Sequence, residues 1–311
     1  MKISVCSTIY NEERSIARTI ETILQQTKPP NEIVIVDGGS VDGTIDIIRH
    51  YQKKDKRIKL LTCKCSRSKG RNLTIELSSN EIIAMTDAGC MPNRDWLEKI
   101  TSPFKSTDVD MVAGFYEMTG KTNFQKAAAV FLGVTPRKFD INFLPSTRSV
   151  AFKKSLWEEV GGFPEALTDT AEDTVFNEKV VKSGAKIARV KSAVVEWGMP
   201  DELNEVLLKM FHYAKGDAKS GIWFSRVKGI TSHNILIISH FARYILLIGS
   251  IVLAIVGLFS PLIPILLLGL YTYWAFRKVF IETGSVISAL YGIVIQYTSD
   301  FAVMAGFLAG V

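Results

Sequence analysis

The chain has 311 residues, which is enough for one sizeable α/β domain and a second region. Its net charge of +6 is spread along the sequence without a nucleic-acid-binding motif, so we expect no nucleic-acid partner. The four cysteines lack the paired spacing of a zinc site, and we expect ordinary thiols that the cytosol keeps reduced. Residues 1–230 are mixed in polarity, whereas residues 235–311 are mostly apolar.

Strand-like and helix-like patterns alternate through the first hundred residues. Strands are predicted over Ile3–Ile9, Ile33–Val36, Ile58–Leu61 and Ile82–Thr86, and helices over Glu12–Gln26, Gly43–Tyr51, Lys69–Leu77 and Trp96–Phe104. This alternation predicts an α/β fold with a doubly wound, mostly parallel sheet. No Gly-x-Gly-x-x-Gly follows the first strand, which argues against an NAD-binding domain.

Two of the predicted strands deliver an aspartate to their carboxyl ends. Asp37 follows the run Ile33–Val36 and Asp87 follows Ile82–Thr86, and small residues come directly after each. Open α/β sheets bind their ligands at the carboxyl ends of the strands. We therefore expect these aspartates to contact a ligand, by accepting hydrogen bonds or by holding a metal ion.

Six short motifs occur together in the order and spacing of one known family. They are Thr8–Glu12 (TIYNE), Val36–Thr44 (VDGGSVDGT), Gly70–Asn72 (GRN), Thr86–Gly89 (TDAG), Gly161–Glu165 (GGFPE) and Ala171–Thr174 (AEDT). Over about residues 3–220 the chain resembles family 2 glycosyltransferases. These are inverting enzymes of the GT-A fold that use nucleotide-sugar donors.

The resemblance implies a donor site with a divalent metal ion. The donor-binding residues are expected to be Thr8, Tyr10, Asn11, Glu12, Asp37, Lys69, Arg71 and Asp87. Asp87 matches the first carboxylate of the family's Asp-x-Asp motif, which holds Mg²⁺ or Mn²⁺, but Gly89 stands where the second belongs. Lys69 and Arg71 lie near a predicted helix start, where phosphate binds readily, although a solvated basic loop would have the same pattern.

Catalysis is expected at Glu172 and Asp173. In the family, the second residue of this pair is the general base that takes the acceptor's proton, although acidic residues also favour the first turn of any helix. His212 is a further candidate metal ligand. A single histidine is more often a surface residue without a ligand.

The apolar C-terminal part predicts a membrane anchor. We divide the chain into a GT-A domain (1–220), an amphipathic interface helix with its linker (201–232) and a membrane region of two to three transmembrane helices (235–311). The helix over Asp201–Lys219 could equally pack on the soluble domain, and Gln296 and Asp300 interrupt the third apolar run. No signal peptide is visible, so the catalytic domain is expected in the cytoplasm and the protein in the cell membrane.

These inferences give one leading hypothesis and two alternatives. The leading hypothesis is a membrane-anchored inverting glycosyltransferase that moves a sugar from a UDP- or GDP-linked donor to a lipid-linked sugar or polysaccharide. The first alternative is a polyprenyl (dolichyl) phosphate sugar synthase, whose anionic acceptor needs no general base. The second is a catalytically inactive nucleotide-binding membrane protein, which Gly89 brings into consideration.

Overall fold

The computed structural model describes residues 1–106, 108–167, 170–225 and 232–311. The chain divides into two units. The first, which we call the sheet unit, comprises residues 1–118 and 136–198, and the second, the helical unit, comprises residues 119–135 and 199–311. The functional domain boundaries given above stay a prediction, and part of the expected linker (226–231) lies outside the described residues.

The sheet unit contains eight strands and the helices that cover them. The strands are β1 (Ile3–Ile9), β2 (Glu32–Asp37), β3 (Ile58–Thr62), β4 (Ile82–Met85), β5 (Cys90–Pro92), β6 (Met111–Thr119), β7 (Val150–Lys153) and β8 (Ile187–Gly198). The helices are α1 (Ile16–Leu24), α2 (Thr44–Lys54), α3 (Arg67–Glu76), α4 (Trp96–Thr101), α5 (Pro103–Ser106), α7 (Lys154–Glu159) and α8 (Glu172–Ser183), with a 3-10 turn at Pro136–Lys138.

The sheet is mixed, with the strand order β3-β2-β1-β4-β7-β6-β8-β5. Its first half is parallel, because β1 pairs in parallel with β2 and β4, and β2 with β3. In the second half, β7 is antiparallel to β4 and β6, and β5 is antiparallel to β8. The α/β class is confirmed, and the parallel alternation predicted from the sequence accounts for the half that contains β1 to β4.

Branched and aromatic side chains fill the core between the sheet and its helices. Val34, Met85 and Phe152 from three strands pack with Phe176 of α8 in one buried cluster. The second half of the sheet was not predicted strand by strand; β5 and β7 have only three and four residues, whereas β6 and β8 have nine and twelve. Cys63 and Cys65 form a disulfide, so the expectation of four thiols is wrong for this pair.

The described residues of the helical unit form five helices. They are α6 (Asn123–Leu132), α9 (Leu203–Ser220), α10 (His233–Ile255), α11 (Leu262–Thr283) and α12 (Val286–Gly310). The last three are long and apolar enough to cross a membrane. They lie within the predicted membrane region (235–311), except that α10 starts two residues earlier, at His233.

Candidate active site

The carboxyl ends of the parallel strands gather the predicted donor-site residues. Asp37 is the last residue of β2 and pairs in register with Ile9 at the end of β1. Asp87 follows β4 by two residues, on the other side of β1. The prediction that Asp37 and Asp87 stand at the carboxyl ends of two strands is therefore confirmed.

The Asp37 carboxylate organises the loop that follows it. It is fully buried, and it accepts hydrogen bonds from the backbone N–H groups of Gly39 and Ser40, each at 2.9 Å, and from the Ser40 hydroxyl at 2.5 Å. Gly39 has a φ of +98°, which few residues other than glycine adopt. Asp37 therefore shapes this loop, whatever it also does for a ligand.

The loop after β1 packs against the loop after β2. Asn11 has a left-handed φ of +52°, its N–H donates to the Ser40 hydroxyl at 2.8 Å, and its side-chain oxygen accepts from the Val41 N–H at 3.0 Å. Because of this turn, α1 begins at Ile16 and not at Glu12 as predicted. Tyr10 is 60% exposed and presents its ring at the surface of the sheet unit.

Arg71 is the centre of the site's charge network. Its guanidinium donates to the Asp87 carboxylate at 2.9 Å and to the Glu172 carboxylate, while the Arg71 side chain itself is only 4% exposed. Arg67 lies 3.6 Å from the same Glu172 carboxylate. Arg71 thus joins α3, the end of β4 and the start of α8. This pairing with two carboxylates is not visible in the sequence motif.

The network gives the two aspartates opposite proton affinities. Burial raises the pKa of the Asp87 carboxyl, but the positive charges of Arg71, Arg148 and Arg67 outweigh burial and hold this pKa below its ordinary value. Burial and the neighbouring Glu172 charge both raise the pKa of the Asp173 carboxyl. Two carboxyl groups whose pKa values are pushed apart are typical of a site that assigns them different chemical tasks.

Asp173 is better suited than Asp87 to accept a proton, because its pKa is raised and that of Asp87 is lowered. One Asp173 oxygen accepts from the Thr174 N–H at 2.8 Å. Within the described part of the chain, no arginine or lysine lies within ion-pairing distance of Asp173, since Arg71 and Arg67 are paired with Glu172. The residue before the pair, Ala171, has a left-handed φ of +72°, a strained backbone for alanine.

Asn72 fixes α3 to the loop before α8. Its side-chain oxygen accepts from the Phe163 N–H at 2.9 Å and from the Trp157 indole N–H at 3.1 Å, and its amide donates to the Phe163 carbonyl at 3.0 Å. Gly162 must be glycine here, because it has a φ of +61° and an added Cβ would lie 2.9 Å from the Asn72 oxygen. The GGFPE and GRN motifs therefore meet, which holds Arg71 in place beside them.

Three polar atoms around this site are buried without a hydrogen-bond partner among the described residues. They are the hydroxyls of Thr8 and Thr86 and the Nε of Arg71. Thr8 and Thr86 lie near the ends of β1 and β4, next to the charged cluster. Because buried polar groups are almost always paired, their concentration here indicates a polar ligand or ordered water.

Other predicted residues lie at the margin of the cluster or outside it. Lys69 lies on α3 with an exposed side chain, and its N–H donates to the Ser66 hydroxyl that caps the helix. His212 belongs to α9 of the helical unit, where it is exposed and its ring lies edge-on to Phe211. Its role as a metal ligand stays a prediction.

Sequence reasoning missed two residues that belong to the cluster. The Thr147 hydroxyl donates to the second Asp87 oxygen at 3.1 Å. The Arg148 guanidinium lies 3.8 Å from the centre of the Trp197 ring and contributes to the low pKa of Asp87. Both come from the stretch before β7, whose sequence Pro-Ser-Thr-Arg reads as an ordinary polar turn.

The carboxylates near Gly89 fit a hard divalent cation that has few protein ligands. No group of three or more His, Cys, Asp or Glu side chains in the described ranges could hold a metal. The Glu12 carboxylate, however, lies 3.5 Å from the place where a Cβ at Gly89 would stand. Asp87 and Glu12 therefore both border Gly89, and Mg²⁺ sites commonly use one or two carboxylates with phosphates and water.

Comparison with known proteins decides the family. The model of Glycosyl transferase family 2 matches residues 4–156, which include β1 to β4 and Asp87. This chain is a glycosyltransferase with a family 2 domain. It is 27% identical over 228 residues to glycosyltransferase AglE of Haloferax volcanii, covering 71% of this chain and 74% of that protein.

The family 2 chain also matches more distant proteins. It is 26% identical over 210 residues to the O-antigen chain rhamnosyltransferase RfbN of Salmonella typhimurium, covering 63% of this chain and just under two thirds (66%) of that relative. The mannosyltransferase PcManGT of Pyrobaculum calidifontis, solved with GDP-Man and Mn²⁺, superposes with a TM-score of 0.65 at 20% identity, covering 96% of this chain and 86% of PcManGT. This similarity confirms the predicted GT-A fold.

Proposed function

We propose that this family 2 glycosyltransferase transfers a sugar, with inversion, from a nucleoside diphosphate donor to a hydroxyl of a lipid-linked sugar or polysaccharide. The observation that carries the proposal is the bridge that Arg71 forms between Asp87 and Glu172. Arg71 helps to hold the pKa of Asp87 below its ordinary value, whereas burial and the Glu172 charge raise the pKa of Asp173. PcManGT was solved with GDP-Man and Mn²⁺, which supports a nucleotide-sugar donor and a divalent ion.

In this proposal the sheet edge holds the donor. The loops that carry Tyr10, Asn11 and Asp37 line the nucleoside, and the diphosphate lies towards Lys69, Arg67 and Arg71. Asp87, with Glu12 beside it, would hold Mg²⁺ or Mn²⁺. When bound, that ion would neutralise charge on the leaving diphosphate.

Asp173 performs the proton transfer in the proposed reaction. Its carboxylate takes the proton of the acceptor hydroxyl as that oxygen forms a bond to the anomeric carbon of the donor sugar. The bond between the anomeric carbon and the diphosphate breaks on the opposite face, and the nucleoside diphosphate leaves. Burial and the Glu172 charge make Asp173 a stronger base than an ordinary aspartate, which suits proton abstraction near neutral pH.

In this proposal the sheet unit lies on the cytoplasmic face of the cell membrane. The apolar helices of the membrane region support a lipid-linked acceptor. Helices α10 to α12 meet the length and hydropathy of membrane spans, and Arg277 and Lys278 near the end of α11 suit a cytoplasmic end. RfbN is named an O-antigen chain rhamnosyltransferase, which supports a saccharide acceptor.

The product identifies the acceptor. Purified full-length protein would be incubated with a labelled nucleotide sugar, Mn²⁺ and lipid extract, and mild acid would then release the labelled glycan. A labelled disaccharide or longer oligosaccharide is the expected product. A labelled free monosaccharide would instead show direct transfer to a polyprenyl phosphate. Absence of any labelled lipid with every donor that binds would contradict transferase activity on lipids.

A further inference from the structure

The third apolar helix, α12, differs from α10 and α11 in how it is packed. In its most apolar stretch 44% of the residues are buried, against 11% in each of the other two helices. Its buried face carries Gln296, Ser299 and Asp300, none more than 3% exposed. A helix of this kind satisfies the length criterion for a span, but its neighbours decide where it lies.

One neighbour is the charged helix α9. A Cβ at Gly306 would collide with the Phe211 carbonyl, and a Cβ at Gly310 would collide with the Lys215 carbonyl. The contact moves four residues along each helix, from Gly306 opposite Phe211 to Gly310 opposite Lys215. Helices α9 and α12 therefore run side by side in the same direction, with their backbones in contact. Helix α9 carries Glu205, Lys209, Lys215, Asp217 and Lys219. Charged side chains at the centre of a bilayer are strongly disfavoured, so α12 cannot cross while α9 stays beside it.

The hairpin of α10 and α11 gives a second, independent constraint. Gly292 of α12 packs against Val279 of α11, and Phe307 packs with Ile237 of α10. Val279 lies about 26 Å from the start of α11 at Leu262, and Ile237 lies about 27 Å from the end of α10 at Ile255. The two contact points on α12 are about 22 Å apart. Gly292 and Phe307 therefore both contact the hairpin near its base, and α12 passes from α11 to α10 between them.

The contacts between these points agree with a helix that crosses the base. The Lys278 ammonium donates to Gln296 at 3.1 Å, and the hydroxyls of Tyr271 and Tyr244 both donate to Asp300, the latter at 3.0 Å. Asp300 also lies 3.3 Å from a ring nitrogen of His240 and 3.8 Å from the Arg243 guanidinium, and the Tyr297 hydroxyl is 2.8 Å from the Thr272 hydroxyl. At the base, these charged and polar groups would lie at headgroup depth, where charge is tolerated.

We infer that α12 lies in the plane of the membrane interface beside α9, so that α10 and α11 alone cross the bilayer. This inference rests on the membrane anchoring included in the proposed function. The surface that faces the lipid is a stripe at heptad spacing, each member at least half exposed: Ile287, Leu290, Val294, Phe301 and Leu308. The stripe turns away from α9, and its Phe301 also contacts the Tyr244 ring of α10, with 5.1 Å between the ring centroids. Acyl chains next to the hairpin are the partner that suits such an apolar face.

Membrane sidedness tests this arrangement in the full-length protein. Protease-cleavable tags would be placed before Met1, between Gly257 and Ser260, and after Val311, and cleaved in sealed vesicles of known orientation. The expected result is that the tags at Met1 and Val311 are cleaved from one side and the hairpin tag from the other. A Val311 tag on the hairpin side would overturn the inference. A hairpin tag on the Met1 side would overturn the membrane anchoring itself.

Depth measurement supplies a second readout that is independent of topology. Single spin labels at Ile287, Val294 and Leu308 would be compared with labels at the exposed positions Ile248 and Leu270, in the middle of the hairpin helices and in a background that lacks native cysteines. We expect equal depths along α12 to within about 5 Å, with both hairpin labels deeper. A spanning helix would instead separate Ile287 from Leu308 by about 31 Å.

Discussion

Replacing Asp173 by asparagine separates proton transfer from structure. Asparagine keeps the side-chain oxygen that accepts from the Thr174 N–H. It removes a carboxylate that has no arginine or lysine partner among the described residues, so the Arg71 network stays intact. General-base catalysis contributes roughly a hundredfold or more, so turnover should fall at least that far, which corresponds to about 2.7 kcal/mol in the barrier.

The same substitution should leave the folded protein as stable as before or more so. Burial and Glu172 raise the pKa of Asp173 in the folded state. A raised pKa gives stability that is present at low pH and lost as the pH rises through the folded pKa. Asparagine never ionises, so it avoids this loss at neutral pH. For the same reason, the wild-type rate should fall on acidification at a pH above the ordinary aspartate pKa. The residual rate of Asp173→Asn should not show this fall.

Glu172→Gln is the matched control at the neighbouring position. It weakens the partner of the buried Arg71 guanidinium, which should lower stability by about 2–3 kcal/mol and the melting temperature by roughly 4–12 °C. The assay is donor turnover and thermal melting of both variants beside wild type. Near-normal turnover in Asp173→Asn would refute the general-base assignment and favour a phosphate acceptor. A large loss of stability in that variant would show that Asp173 is structural.

Three further substitutions test the donor site and its support. Asp87→Asn should abolish the Mn²⁺-dependent thermal shift and most activity, whereas Asp46→Asn, on an exposed side chain, should match wild type in both assays. Asp37→Ala should weaken nucleotide binding, measured by calorimetry, because the loop that Asp37 holds loses three hydrogen bonds; unchanged affinity would contradict this role. Gly162→Ala should destabilise the fold by about 1–2 kcal/mol more than Gly184→Ala in denaturant titration, because only Gly162 would gain a clash; equal losses would refute the packing argument.

The sequence was most informative where chemistry and periodicity coincide. Asp37 and Asp87 could be placed at one sheet edge, because parallel strands end together and each aspartate follows a β-branched run. The bridge from Arg71 to Asp87 and Glu172 could not be predicted, since Glu172 lies 101 positions from Arg71 in the chain. The motif suggested a phosphate contact for Arg71, whereas in the structure its buried guanidinium pairs with Asp87 and Glu172.

The membrane region shows a second limit of sequence patterns. Length and hydropathy make α12 resemble α11, because the two helices have 25 and 22 residues and mean hydropathies of 1.3 and 1.2 in their most apolar stretches. What separates them is the close approach of Gly306 and Gly310 to α9, which depends on tertiary packing. Asp300 gave a signal in the sequence, since a carboxylate is uncommon within a span.

The most direct test of the proposed activity is donor binding by the full-length protein. A panel of UDP- and GDP-linked sugars would be scored by thermal shift with and without Mn²⁺, in wild type and in Asp87→Asn. At least one donor should raise the melting temperature of wild type, more strongly with Mn²⁺, and the Mn²⁺ effect should vanish in the variant. Failure of every nucleotide sugar to stabilise the wild-type protein, with or without Mn²⁺, would contradict the proposed donor site.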